Sequence, residues 1–248
     1  MTTAVAPGAL YRDRAVVLRT YRLRESDRIV VLLTAEHGKV RAVAKGVRRT
    51  TSKFGARLEP MSHVEVLLRR GRDLDIVSQA ESVDGAVQLL SSLDRASQGM
   101  AVVEAVEQLS LDREPDPRLY SMLVGVLRTI ADAPAALNVA AFFWKVLAAA
   151  GLSPVLDACV RCGEGGDDVQ LVSFDLDEGG VLCRSCRSGT TVSPAALAVM
   201  RDILGGRLRA ALSLEESPVT HEVSALATRA LEHHLERRLR AVAMFERH

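Results

Sequence analysis

Short runs of β-branched and aliphatic residues separated by turn signals occupy the first third of the chain, and they predict five strands. These run approximately Arg14 to Tyr21, Asp27 to Thr34, Lys39 to Lys45, Met61 to Arg69 and Leu74 to Glu81, with turns at His37-Gly38 and Arg70-Gly71-Arg72. In the third strand, period-two alternation sets Val40, Ala42 and Ala44 on one face and Lys39, Arg41, Val43 and Lys45 on the other. From about residue 84 the apolar period lengthens to that of a helix. Leu89, Leu90, Leu93, Ser97, Met100, Val103 and Val106 form one stripe, which Pro115 and Pro117 interrupt before a helix over Arg118 to Ala131. Pro134 precedes another, Ala135 to Ala150. Ser193 and Pro194 read as the cap and first residue of a helix that Gly205-Gly206 ends. Thr220 is expected to cap the last, whose apolar face runs from Val223 through Leu226, Leu231, Leu235 and Leu239 to Val242. The expected class is α+β: a small all-β domain over residues 1–82, followed by an all-α domain over 83–248.

Composition bounds the class of protein. With 48% apolar and 25% charged residues among 248, the chain can bury a large core. Residues 1 to 9 have no cationic start or apolar run, so no secretory signal is expected. The most apolar stretch, Val139 to Trp144 and Val146 to Leu152, is broken by Lys145 and falls short of the ~20 residues a bilayer requires. A cytoplasmic protein without a membrane segment is the expectation, with Phe142, Phe143 and Trp144 in its core.

Net charge is only +1, yet residues 1 to 82 hold sixteen Lys or Arg against nine Asp or Glu, a surplus of +7 that leaves −6 for the remainder. Cations concentrate between Lys39 and Arg72. A solvated arginine-rich surface is the bland reading of such a run. The alternation of the third strand sharpens it, because three of its cations share one surface. The following loop, Gly46 to Lys53, adds Arg48, Arg49, Lys53 and three hydroxyls able to bond phosphate oxygens. Five strands with a basic face and a basic loop suggest an OB-type barrel that binds nucleic acid. Only Tyr11, Tyr21 and Phe54 supply aromatic rings there, so backbone charge should dominate over base stacking, and single and duplex strands should both bind.

All four cysteines fall in two Cys-x-x-Cys pairs, Cys159 with Cys162 and Cys183 with Cys186, twenty residues apart. Each pair offers two thiolates from one turn, a spacing typical of a closed Cys₄ zinc site with no open position for substrate. Rubredoxin-like iron, or two disulfides in an oxidising compartment, would use the same residues. One structural Zn²⁺ in a knuckle over about 156–188, inserted between helices, is the expectation. Catalysis finds no support: there is no P-loop, no dinucleotide fingerprint, no nucleophile elbow and no second histidine after His221-Glu222, where Ala225 stands. His233 and His234 are expected to be one surface and one partly packed residue.

Several of these residues carry a family resemblance. Arg24-Glu25-Ser26-Asp27, Thr34 with Gly38-Lys39, and Ala44 to Arg49 running into Ser52-Lys53-Phe54 resemble the RecO family of bacterial recombination mediators. Leu58-Glu59-Pro60, Gln79-Ala80-Glu81 and the Cys₄ knuckle extend the likeness over essentially the full chain. The resemblance implies an OB-fold followed by a helical domain with a zinc knuckle, and a non-catalytic mediator. Such proteins bind single- and double-stranded DNA and anneal complementary strands coated by single-stranded-DNA-binding protein. They recognise that protein's acidic C-terminal tail and, with RecR, help load the RecA recombinase at the nucleoid. By position, Lys39, Arg41, Lys45, Arg48, Arg49 and Lys53 are the implied DNA contacts, with Arg57, Arg69, Arg70 and Arg72 as second choices. Arg201, Arg207 and Arg209 are candidates for the tail without a choice among them. A zinc-stabilised module that binds RNA or only joins proteins remains the alternative.

Overall fold

The structure is a computed structural model and describes residues 6–23, 25–47, 52, 54–84, 86–166 and 168–241. Five strands, β1 (Leu10–Arg22), β2 (Arg28–Thr34), β3 (Gly38–Ala44), β4 (His63–Arg69) and β5 (Asp75–Asp84), close into a barrel in the order β1-β2-β3-β5-β4. This is the expected OB-type architecture. Closure depends on the length of β1. Its first half pairs with β4, from Leu10 opposite Arg69 to Val16 opposite His63, and its second half pairs with β2. A bulge between Val17 and Arg19 turns the strand from one partner to the other, the usual device for bending a sheet into a barrel. Ala15, Val17, Val30, Leu32, Val40 and Ala42 fill the interior.

Outward-pointing residues of the first two strands are buried as well. Val16, Leu18, Val31 and Leu33 alternate with the interior set yet are almost wholly covered. Two helices account for this: α1 (Leu93–Leu109) packs on β1, and α2 (Pro117–Asp132) packs on α1. Contact at α1 is so close that a Cβ on Gly99 would lie 2.4 Å from the Met61 sulfur. The barrel and these helices therefore form one compact unit reaching to Ala133, which Leu239, Arg240 and Ala241 rejoin. The apolar stripe expected from Leu89 to Val106 is buried only in part: Leu89, Val103 and Val106 are covered. Leu90, Leu93 and Met100 are exposed, whereas every residue from Ala101 to Val106 is buried. A helix packed on more than one side does not advertise its orientation through periodicity.

Pro134–Arg238 make the second unit. Helix α3 (Asn138–Ala149) packs against α4 (Pro194–Leu204) and α6 (Pro218–Leu235), with the short α5 (Leu208–Leu212) between the latter two in sequence. Phe142, Phe143 and Trp144 are buried as expected, and Trp144 lies 5.9 Å from Phe174 between ring centroids. Ser193 caps α4 by accepting the Ala196 N–H, and its own N–H and hydroxyl both donate to Glu222 of α6. Thr220 is not the cap of the last helix. Ser217 is, and Thr220 completes a capping box by accepting the Ser217 N–H at 2.8 Å. That helix also stops early. It ends at Leu235 with Glu236 in the left-handed region, His233 and His234 are both exposed, and Val242 lies outside the described residues. Leu239 is instead buried in the first unit, where Glu104 of α1 accepts the N–H groups of Arg240 and Ala241. No helix among the described residues is long and apolar enough to cross a membrane.

Candidate nucleic-acid interface and metal centre

Strand β3 alternates as its sequence predicts: Val40, Ala42 and Ala44 are fully buried while Arg41 and Lys45 are exposed. Helix α1 and the chain after it decide which outward residues stay open. Lys39 lies opposite Leu33, itself opposite Val16, and this row is covered. The Lys39 ammonium donates to the carbonyls of Glu107 and Ser110 at 2.9 and 2.6 Å, with Asp112 at 3.5 Å, so it caps the C-terminus of α1. It departs from the expected role as a surface contact. One row along, Arg41 is exposed but Arg19, at the far end of the row, pairs with Glu107 at 3.3 Å. The row after that is uncovered. Tyr21, Ile29, Val43, Ile76 and Arg69 stand side by side on five different strands, none of them buried.

An apolar strip thus crosses the barrel wall with cations around it: Arg41 on β3 and Lys45, one residue past its end, flank Val43, and Arg69 ends the row. Among the described residues Arg41, Lys45, Arg69, Arg70 and Arg72 make no ion pair, whereas Arg12 and Arg28 are paired with Glu65 and Glu59. Arg57 is exposed near the Phe54 carbonyl. Of the three rings in the barrel, Tyr11 and Phe54 are buried and Tyr21 is exposed. The loop after β3 is anchored at both ends, by Val47 and Phe54 in the core and by the Gly46 N–H donating to Asp27 at 2.8 Å. Arg48, Arg49 and Lys53 lie outside the described residues.

In the second unit the two cysteine pairs meet on a small sheet of order β7-β6-β8, formed by β6 (Leu171–Asp175), β7 (Gly180–Cys183) and β8 (Thr190–Thr191), which the sequence did not announce. The first turn is laced to β7, with Val160 N–H donating to Val181 O at 2.9 Å and Val155 bonded to Gly179 and Val181. Gly180 permits this approach, since a Cβ there would lie 2.5 Å from Val160 and 2.7 Å from the Val155 carbonyl. All four sulfurs come within 4.8 Å of one another. Cys162 and Cys183 are 3.7 Å apart. Four thiolates about 2.3 Å from one ion would be separated by about 3.8 Å, while a disulfide needs about 2.0 Å. The donor set therefore fits a tetrahedral metal ion. Burial opposes ionisation of Cys159, but the N–H groups of Cys183, Cys162 and Arg161 outweigh it and bring the thiol down to about 6. Burial and the neighbouring sulfurs push Cys186 up to about 12. Only a cation lets all four carry charge together.

A family model described as Recombination protein O N terminal matches residues 9–86, and one described as Recombination protein O C terminal matches residues 90–243. The chain belongs to the recombination protein O family. It is therefore a recombination and repair mediator of the RecO type, which binds DNA and works with the recombination machinery, and the family is a non-enzymatic one. The boundary between the two matches precedes α1, whereas packing groups α1 and α2 with the barrel. Sequence reasoning missed the open row of Tyr21, Ile29, Val43, Ile76 and Arg69. Its members are scattered over five strands, and only strand register joins them. Of the candidates for a protein tail, Arg201 is paired with Asp157 and Arg207 with Asp202, while Arg209 is exposed.

Proposed function

We propose that this RecO-type mediator holds DNA strands on the open wall of its barrel, anneals them, and with RecR helps RecA replace single-stranded-DNA-binding protein whose C-terminal tail it grips. The observation that carries the reading is the aliphatic row from Ile29 to Ile76 bordered by the cations Arg41, Lys45 and Arg69, which have no ion pair among the described residues. Arg48, Arg49 and Lys53 add phosphate contacts from the adjoining loop, and the DNA-binding part is residues 1–82 of a protein that acts at the nucleoid. Replacing condensed counterions with fixed cations lowers the repulsion between two approaching strands. Aliphatic side chains support a base without the strong stacking of an aromatic platform, so bases remain able to pair. The protein performs no bond chemistry, and Zn²⁺ in the Cys₄ site is structural.

The test compares the wild type with the triple variant Arg41→Ala, Lys45→Ala, Arg69→Ala in gel shifts over a salt series and in annealing of complementary oligonucleotides. The slope of log affinity against log salt should fall by about 2 for single strands, about 0.7 per lost contact, and annealing should slow in parallel. Unchanged affinity and rate at low salt would exclude this wall.

A further inference from the structure

Arg161 lies between the two cysteines of the first pair, and its side chain reaches across to the second. Nη1 donates to the Cys186 carbonyl at 2.9 Å, Nη2 to the Ser188 hydroxyl at 3.1 Å, and Nε to Glu178 in the β6–β7 turn at 3.0 Å. Ser188 in turn donates to Asp175 at 2.8 Å, and the other oxygen of Asp175 accepts the N–H groups of Asp177 and Glu178. One planar fork thus links the first cysteine turn, the β6–β7 turn and the segment that follows the last cysteine.

The four cysteines are unequally supported. Cys159 is buried, with its N–H bonded to Glu164, and Cys183 is buried at the end of β7. Cys186 lies beyond the last residue of that strand, partly exposed, and its own N–H reaches only back to Cys183, at 3.2 Å. Cys159 and Cys162 of the first turn lie near its sulfur, and the Arg161 guanidinium of that turn bonds its main-chain carbonyl. We propose that Arg161 is a positioning residue for the metal, holding Cys186 at the fourth corner of the tetrahedron before and while an ion is bound. This rests on the reading of the four cysteines as a metal site. Geometry, not attraction, is its contribution, because an ion pair as exposed as Arg161 with Glu178 contributes little by itself.

Zinc affinity, measured on the full chain by competition with a chromophoric chelator, tests the assignment. Arg161→Ala should weaken binding about 10- to 100-fold, the range found when groups that orient metal ligands are removed, and should speed release to the chelator. Arg161→Lys keeps the charge but not the fork and should recover little of the loss. Arg184→Ala, at an exposed arginine next to Cys183 whose side chain has no hydrogen bond or ion pair among the described residues, should leave affinity unchanged. Cobalt supplies a second readout: thiolate-to-metal absorption should weaken in Arg161→Ala at matched occupancy. If Arg161→Ala does not fold, Glu178→Gln carries the test with a smaller loss of affinity. Wild-type affinity in the alanine variant, or in Glu178→Gln, overturns the proposal, as does full recovery in Arg161→Lys, which would make charge alone responsible. Wild-type protein that binds neither zinc nor cobalt would instead overturn the metal reading itself.

Discussion

The barrel strands run 13, 7, 7, 7 and 10 residues and close on themselves, whereas the sheet beneath the cysteines has strands of 5, 4 and 2 residues and open edges. A closed ladder satisfies its own backbone and encloses a core, which leaves outward side chains free for other duties. A sheet as short as the second cannot hold its register alone. It recruits side chains for that purpose, through four sulfurs and one arginine. Cations on the first unit can therefore face a ligand, while the principal cation of the knuckle is occupied with the fold.

Metal removal should separate the two regimes most sharply. Chelation should unfold the knuckle, because structural zinc sites of this class contribute about 10–16 kcal/mol of apparent binding free energy at neutral pH. The barrel should stay intact, and amide exchange read by mass spectrometry should rise in residues 155–191 and not in residues 10–84. Exchange that rises equally in both would end the comparison.

The reverse lesion is Asp75→Ala. Asp75 is completely buried and accepts hydrogen bonds from the two arms of Arg113 at 2.9 and 3.1 Å, from the Gly71 N–H at 2.9 Å and from the Tyr11 hydroxyl, whose own pKa burial and then the Asp75 carboxylate push upward. Loss of one partner from a buried pair costs about 3–5 kcal/mol. Denaturant unfolding should show that loss in the first unit, with zinc affinity unchanged.

A smaller effect should follow pH. His63 is buried between the Tyr120 hydroxyl at 2.9 Å and Asp84 at 3.1 Å, and Asp84 is also paired with Arg128 at 2.7 Å. Desolvation lowers the His63 pKa despite the Asp84 carboxylate, and bonds from Arg128 and then His63 lower that of Asp84. For both groups the unfolded chain takes up the proton first, so stability is full above the unfolded values, near pH 6.5 and 3.8, and declines as pH falls below each. Between pH 7.5 and 5.5 the melting temperature of the first unit should therefore fall. In His63→Gln that drop should be smaller. The smallest change should come from Ser193→Ala, about 1 kcal/mol for a lost cap, felt in the second unit alone.

Local rules made much of this molecule legible. Period-two alternation placed Val40, Ala42 and Ala44 inside and Arg41 and Lys45 outside, because a strand offers only two faces. Ser193-Pro194 marked a helix start, and the cysteine spacing marked the four sulfurs that gather in the second unit. Those rules failed where distant segments compete for the same residue. Lys39 carries the same alternation as Arg41, yet the carbonyls at the end of α1 claim its ammonium. Leu239 continues a helical stripe in sequence, yet it is buried in the first unit instead.

The amino-acid order by itself determined the strand and helix types, the interior face of each strand, the basic character of the first unit and the four cysteines able to hold a metal ion, since each follows from spacing within a few tens of residues. Tertiary structure alone decided which cations remain available, which row of the barrel wall is open and how Arg161 braces the knuckle. Availability depends on what covers a side chain, and the covering residues, such as those of α1 over β1, lie about 70 or more positions away along the chain.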